Sequence, residues 1–393
     1  MPAPSAPATA GEVLALIREG RATTRADVGR VTGLSRTAVT ARLSALLRAG
    51  LLVETVVEPS GGGRPPARLS FNSDFGVVLA VPLGRSRTQT AVCALDGEVL
   101  AATAFDHADG ASPQEMMPRI LGALEELLAS IDVPPERVRG IGVSLPGTVD
   151  TERGMSLSSP IMPGWEGVPL APFFDAYGEV PVRVDNDATV LALSEADGHR
   201  RRFDDLVVLK ASTGISVGIF GGGRLLRGAL GAAGEIGHTR TPAAVGRTCR
   251  CGGTGCLESV AGGWALVQDA VAADRPVPHV RELVARALEG DAAARRQLRE
   301  SGRRVGEVLS GVVNLLNPGA VVVGGDMAAG YDFFVAGLRE TLYAEATALA
   351  TRDLEILPST HGQEAGVVGC AQLALGEVLR PERVDRYLAR VGS

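Results

Sequence analysis

Gly231-Ala-Ala-Gly-Glu235-Ile-Gly-His238, followed by Cys249-Arg-Cys251-Gly-Gly-Thr-Gly-Cys256-Leu-Glu258, is the stretch on which the reading of this chain turns. Three sulfurs fall within eight positions, and an imidazole stands eleven residues before the first of them. One His and three Cys make a full tetrahedral zinc set, and the glycines between the sulfurs permit the tight turns that bring them together. A disulfide or an unliganded redox pair competes for the same thiols, but a cytoplasmic compartment disfavours the disulfide. Four protein ligands leave no open coordination position. A Zn2+ held by His238, Cys249, Cys251 and Cys256 is therefore expected to be structural, one per chain. Cys93 and Cys370 sit in apolar stretches and read as core thiols.

On both sides of this stretch the pattern is α/β. Gly76–Val81, Thr88–Leu95 and, after the Asp96-Gly97 turn, Glu98–Phe105 read as strands, and Ser112-Pro113 opens a helix through Leu128. Arg139–Ser144 ends in Leu145-Pro146-Gly147, Val180–Asp185 ends in Asn186-Asp187, and Ala320–Val323 ends in Gly324-Gly325. Leu206–Leu209 and Ile215–Phe220 are further strands. Polar and glycine residues at the carboxyl ends of buried strands are where such sheets place ligands. Two lobes facing a cleft are expected, the first over about 73–187 and the second over about 188–375, with the C-terminal helix a candidate to return to the first.

The first 72 residues read differently. Residues 1–9 are rich in Pro, Ala and Ser and are expected to be a disordered tail. Val13, Leu14, Leu16 and Ile17 make an apolar stripe that Gly20 ends, and Thr23-Thr24 caps a second short helix. After Thr32-Gly33-Leu34, Ser35 caps a third helix that runs to about Ala49. Helix, Gly-containing turn, helix is the helix-turn-helix arrangement. In the third helix Val39, Leu43, Leu46 and Leu47 face inward. Thr37, Ala41, Ser44 and Arg48 lie opposite, flanked by Arg36 and Thr40, and that face holds no acid. Little bulk, hydroxyl and guanidinium donors, and a positive helix end suit a major groove. Leu51–Val57 and Ala67–Phe71, with Arg68, read as strands around Ser60-Gly-Gly-Gly63-Arg64-Pro65-Pro66, a β wing. Arg64 is placed to enter a minor groove, or is an ordinary arginine in a linker loop.

The Glu-x-x-His, Cys-x-Cys and Gly-Cys-x-Glu combination resembles the ROK family of repressors and sugar kinases. The resemblance runs across nearly the whole chain. Thr24–Gly50 with the Gly-Gly-Arg-Pro wing is similar to the head of the family's repressor branch. Gly140–Asp150, Pro163-Gly164-Trp165, Asp185–Ala188 and Thr213-Gly214-Ile215 are similar to the motifs of the kinase-like body. The implied fold is α/β, an N-terminal winged helix-turn-helix over 10–72 and a two-lobed actin/hexokinase-like (ribonuclease H-like) body over 73–393. The resemblance also implies a sugar held by Asn186, Asp187, Glu235, His238 and Glu258, beside Gly147. Zinc would then keep His238 and Glu258 in place.

Two departures from the family pattern bear on chemistry. Kinases of the family open their body with an Asp-x-Gly-Gly-Thr phosphate loop. Here Val81-Pro82-Leu83-Gly84-Arg85-Ser86 stands there, with Pro82 at the Asp position and Arg85 in place of a Gly. A proline positions no metal-bound water and donates no backbone hydrogen bond. Ser216 stands where the second loop usually has Gly. The body is accordingly read as a ligand sensor without catalysis. In the alternative, an active sugar kinase, Asp187 is the base. Secondly, Ile161 replaces an Asn that contacts a sugar hydroxyl, which points to a modified or deoxy sugar or to a pocket that has left sugars behind.

Composition fits this organisation. Hydrophobic residues make up 45% and charged residues 21% of 393, as in folded protein. No apolar run reaches the roughly 20 residues of a membrane helix, and Met1–Pro7 lacks the pattern of a secretory signal. Neither a membrane partner nor export is expected. The net charge of −6 argues mildly against nucleic acid until it is divided. Nine arginines against five acids give residues 1–70 a charge of +4, leaving −10 for the remainder. The expected partners are operator DNA, a small-molecule sugar effector and a second or further copies of the chain, as homodimer or tetramer.

Overall fold

The computed structural model describes residues 8–56, 67–108, 110–158, 162–196 and 198–391. Of the expected tail over 1–9, residues 1–7 lie outside the described residues, as do the wing tip with Arg64 and Ile161.

Helix α1 (Ala10–Arg18) opens on a capping box. Thr9 accepts from Glu12 N–H, and the Glu12 carboxylate accepts from Thr9 N–H. Thr9, assigned to the tail on composition, is thus the N-cap of the first helix, and Ala8 O accepts from the Arg42 guanidinium. Thr24 and Asp27 form the same reciprocal box at the start of α2 (Arg25–Thr32), which stops at Gly33 in the left-handed conformation. Ser35 accepts from Ala38 N–H and opens α3 (Arg36–Arg48). Strands β1 (Leu52–Val56) and β2 (Ala67–Phe71) pair antiparallel, Thr55 opposite Arg68, as the stem of the wing. Val13, Leu14, Val28, Val39, Leu43 and Leu46 form the head's core.

The body repeats one sheet design twice. Strands β3 (Val77–Pro82), β4 (Arg87–Ala94) and β5 (Val99–Asp106) form an antiparallel meander, and α4 (Pro113–Ser130) follows. β6 (Val138–Leu145) then pairs parallel with β3. A short ribbon, β7 (Thr148–Asp150) and β8 (Met155–Ser158), precedes β9 (Val182–Asn186), which is parallel to β6. The resulting order is β5-β4-β3-β6-β9. Helix α5 (Asp187–Ser194) leads to the second sheet, where β10 (Leu206–Ala211), β11 (Ile215–Gly221) and β12 (Arg224–Leu225) again form a meander. Helices α6 (Glu258–Ala261), α7 (Gly263–Ala272), α8 (Val280–Leu288) and α9 (Ala292–Leu316) come next. They precede β13 (Ala320–Gly324), α10 (Tyr331–Glu345), α11 (Ala348–Thr351) and β14 (Glu355–Pro358). Its order is β12-β11-β10-β13-β14, the same 3-2-1-4-5 arrangement as the first.

Both sheets are covered on two faces, which explains their near-continuous apolar runs. In the second sheet Val207, Leu209, Val321 and Val323 face Leu298, Val305 and Leu309 of α9, while Val208 and Val322 face Leu191 and Ala192 of α5. In the first, Leu79 and Val143 face Ile120 and Leu124 of α4. Its other face is covered by α12 (Ala365–Val378), through Val367, Cys370, Ala371 and Ala374. The chain therefore returns to the first sheet after completing the second. Cys93 and Cys370 are fully buried here, and burial pushes both thiols up to about 12, so they are inert core residues.

The last helix, α13 (Pro381–Val391), goes to the head. Val384 is 3% exposed within the head's core, with Tyr387 and Leu388 beside it. Asp385 accepts from Gly11 N–H at 2.9 Å, and Tyr387 packs edge-on against Phe75. Among the described residues, no helix is long and apolar enough to cross a membrane.

Candidate functional site

The carboxyl ends of β6, β9, β10 and β13 converge on a cleft of about 320 Å³ between the two sheets. Gly147, Asn186, Asp187, Glu235, His238 and Glu258 all line it, so the structure gathers the whole predicted set into one place. Their surroundings differ. Asn186 caps α5: its carbonyl oxygen accepts from Ala188 and Thr189 N–H at 2.8 and 3.2 Å, and its amide donates to Gly147 O at 2.8 Å. This side chain fixes the helix that presents Asp187. Glu258 accepts from Ile215 N–H at 3.1 Å and from the Trp264 indole at 3.0 Å, tying the turn between β10 and β11 to α7. Glu235 lies in a half-buried loop. Burial raises its carboxyl above the usual range, with His238 pulling the other way and Asp187 and Glu258 adding to the rise.

Several cleft residues escaped the sequence reading, among them Lys210, Arg281 and Asp326. Lys210, on β10, donates to Asp187 Oδ2 at 2.8 Å. Burial works against its charge, but Asp187, with Asp326 and Glu258 farther off, outweighs burial and holds the ammonium above its ordinary pKa. A second cross-sheet pair joins Arg227 to the buried Asp185 at 2.8 Å. Both arginine and acid are ordinary in sequence, so no local signal marks that pair. Lys210 does carry one signal, as the only lysine of the chain.

The phosphate-loop region shares the cleft. Pro82 ends β3, and Gly84 N–H turns back to Arg87 O at 2.9 Å, with Arg85 on the cleft wall. In the second loop Ser212 donates to Asp326, and Thr213 lies 3.2 Å from His279 Nε2.

His238, Cys249, Cys251 and Cys256 form a candidate metal centre. Their ligand atoms all lie within 4.8 Å of one another. Cys249 Sγ is 3.8 Å from His238 Nδ1, and Cys251 Sγ is 3.7 Å from Cys256 Sγ. Sulfurs about 2.3 Å from a tetrahedral zinc are about 3.8 Å apart, so the spacing fits that ion. All five cysteines are free of disulfides. Gly252 and Gly255 adopt φ of +85° and +79°, and these left-handed turns fold the loop around the sulfurs. The other imidazole nitrogen, Nε2, lies 3.8 Å from Glu235 Oε2, so His238 links the centre to the cleft.

In the head, Val39, Leu43 and Leu46 are buried and Leu47 is partly so, as the stripe predicts. Ser35, Arg36, Thr37, Thr40, Ala41 and Arg48 are exposed and Ser44 is half-buried, which leaves an acid-free outer surface. Arg68 is exposed on β2, opposite Thr55 of β1.

Residues 78–377 match the ROK family. Over 93% of its length the chain is 27% identical to the xylose repressor of Caldicellulosiruptor bescii, covering 95% of that protein. It is 24% identical to the DNA-binding transcriptional repressor Mlc of Escherichia coli, over 92% of this chain and 91% of that one. Among solved structures, a ROK family transcriptional regulator described as a homologue of the E. coli MLC protein superposes with a TM-score of 0.80. It is 27% identical and covers 97% of this chain and 98% of its own. A ROK family glucokinase from Streptomyces griseus, in complex with glucose and AMPPNP, matches with a TM-score of 0.66 at 27% identity, over 76% of this chain and 99% of that one. The repressors thus align with head and body together, and the kinase with the body alone. The chain belongs to the ROK family.

Proposed function

We propose that this protein is a DNA-binding transcriptional regulator, a repressor, that holds operator DNA with its head and senses a sugar or sugar derivative in its cleft without phosphorylating it. One observation carries the reading: an acid-free, exposed α3 surface is joined to a cleft that keeps the family's polar set while Pro82 and Arg85 occupy its first phosphate loop. Arg36, Thr37, Thr40 and Ser44 present donors to the major groove. Ser35 fixes the helix start, and Arg68, with Arg64 at the wing tip, reaches the flanking backbone and minor groove. The full-length similarity to proteins named as repressors supports this reading.

In the cleft, Asp187, Glu235 and His238 offer acceptors and a donor to vicinal hydroxyls, while Asn186 and Glu258 hold the backbone that positions them. Zn2+ on His238 and the three cysteines would supply a fixed, four-ligand structural centre. Proline at position 82 gives metal-bound water no carboxylate anchor, and the Asp187 carboxylate is already engaged by Lys210, which together favour a sensor over a kinase. A symmetric homodimer or tetramer in the cytoplasm would set two heads at half-sites about 34–36 Å or a multiple apart, and sugar-driven lobe closure would change that spacing.

The test is selection of genomic fragments by the full-length protein, followed by affinity measurement on a selected site. Arg36→Ala and Arg68→Ala should each weaken binding on the order of tenfold. Unchanged affinity in both sinks the docking geometry. Sugar-dependent ADP formation from ATP at saturating sugar would move the reading to the kinase alternative.

A further inference from the structure

A second cavity, of about 230 Å³, lies where the head, the first sheet and α13 meet. Leu51 of the head, Leu95 and Val138 of the first sheet, Val180, and Leu379 after α12 give it an apolar lining. That volume equals roughly eight waters at about 30 Å³ each, so an organic molecule of about ten non-hydrogen atoms fits. Its wall carries the guanidiniums of Arg139, Arg383, Arg386 and Arg390, against the one carboxylate of Glu179.

The positive charge on this wall is only partly balanced. Arg383, Arg386 and Arg390 stand at helical spacing, so they share one side of α13. Arg390 and Glu179 are 3.9 Å apart and largely exposed, a pair worth little. Arg383 reaches Glu377 at 3.5 Å, but that carboxylate already takes Arg183 and, at 3.0 Å, Arg380. Arg386 Nε donates to the backbone oxygen of Glu382, and Arg139 donates to those of Glu136 and Phe75. Burial, with Arg386, Arg183 and Arg390 nearby, holds the Arg383 guanidinium below its ordinary pKa in spite of Glu377. An apolar floor beneath a ridge of guanidiniums suits a ligand that is apolar at one end and anionic at the other.

We propose that this junction cavity is a second ligand site, and that it takes a small monocarboxylate with a medium-length apolar chain or a single ring. The apolar part fills the space between Val138, Val180 and Leu379. The carboxylate meets Arg383 and Arg386, whose forked donors match its two oxygens, and its charge relieves the repulsion along α13. The cavity shares no lining residue with the cleft between the sheets, so the two ligands do not compete for space. Val384 of the same helix lies in the head's core. A ligand here therefore bridges the first sheet to the helix that completes the head, and its binding is linked to how the head is held on the body.

Calorimetric titration of the full-length protein with octanoate, decanoate and phenylacetate, each beside its primary amide and below micelle-forming concentration, tests this. At least one acid should bind on the order of tenfold tighter than its amide. Acetate, which lacks the apolar part, should bind far more weakly than any of them. Arg383→Gln combined with Arg386→Gln should erase the preference for the acid. Arg386→Gln alone, at an exposed position, guards against a folding defect in the pair and should weaken the acid several-fold. Val180→Trp narrows the cavity and should weaken acid and amide alike while both guanidiniums stay. With the acid bound, amides of α13 should exchange more slowly, and those of the 212–214 turn in the cleft should not change. A panel without any binder, or an amide as tight as its acid, overturns the proposal. So does an affinity unchanged in both arginine variants, or protection that appears in the cleft and not in α13.

Discussion

Cys256 is fully buried, and its sulfur takes a hydrogen bond from the Arg240 guanidinium at 3.0 Å while lying 3.7 Å from Cys251 Sγ. Cys256→Ser should therefore lower zinc per chain well below one equivalent and lower the Tm by several degrees, because metal binding and local folding are linked. Metal analysis and a melting curve on the same preparation check this, and full zinc content with an unchanged Tm contradicts it. The same scale separates residues that look alike in the sequence. Asn186 and Asp187 are neighbours, yet one is a helix cap and the other the partner of Lys210. Their identity is legible in the chain; their division of labour depends on groups 23 and 39 residues away.

At the scale of elements, the head was largely readable. Thr24, Gly33, Ser35 and Gly50 are local stop and start signals, and the structure places helix ends at each within a residue or two. Asp27 adds a titratable handle. Its carboxylate pairs with Arg30 and accepts from Thr24 and Thr23, which hold its pKa at about 2 against an ordinary 3.8. A group whose pKa is depressed by folding stabilises the fold above its unfolded value and loses that contribution as pH falls through the folded one. Acidification from 3.8 toward about 2 should thus weaken the α2 capping box, and Asp27→Asn should flatten this part of the pH dependence of head unfolding. Hydrogen exchange of α2 amides across that range is the measurement. Equal pH sensitivity in the variant contradicts the assignment.

At the scale of the whole molecule, α13 is the decisive surprise. Its sequence, Pro-Glu-Arg-Val-Asp-Arg-Tyr-Leu-Ala-Arg-Val, shows an apolar stripe at Val384, Tyr387 and Leu388, but nothing in it names the surface that stripe meets. The fold delivers it to a core built from the first 71 residues. Buried Glu377, just before it, accepts from Arg183 of the first sheet and pairs with Arg380 and Arg383, so head and body share one junction. Val384→Ala leaves a cavity in the head's core and should cost roughly 1–3 kcal/mol there. Amides of α1 and α3 should exchange faster, while those of β10 and β13 stay as protected as before. Unchanged exchange in α1 and α3 rules out the shared core. The division of charge belongs to this scale too. An acidic body repels DNA except where the +4 segment leads, which favours docking by the head.

The sequence by itself determined what local chemistry controls. That includes the capped helices, the acid-free face of α3, the alternation of strands and helices, the four candidate metal ligands with glycines between the sulfurs, and the proline after the first body strand. Each depends on residues within a turn or two of one another, or on backbone conformations that a residue type permits or forbids. Tertiary structure alone decided that Lys210 meets Asp187, that Arg227 meets Asp185, that Trp264 steadies Glu258, and that α13 completes the head. Those partners come from separate strands, loops and helices. Which cation reaches which carboxylate, and which core an amphipathic stripe joins, follows from how the lobes pack, because Coulomb attraction and apolar burial act through space and carry no record of sequence separation.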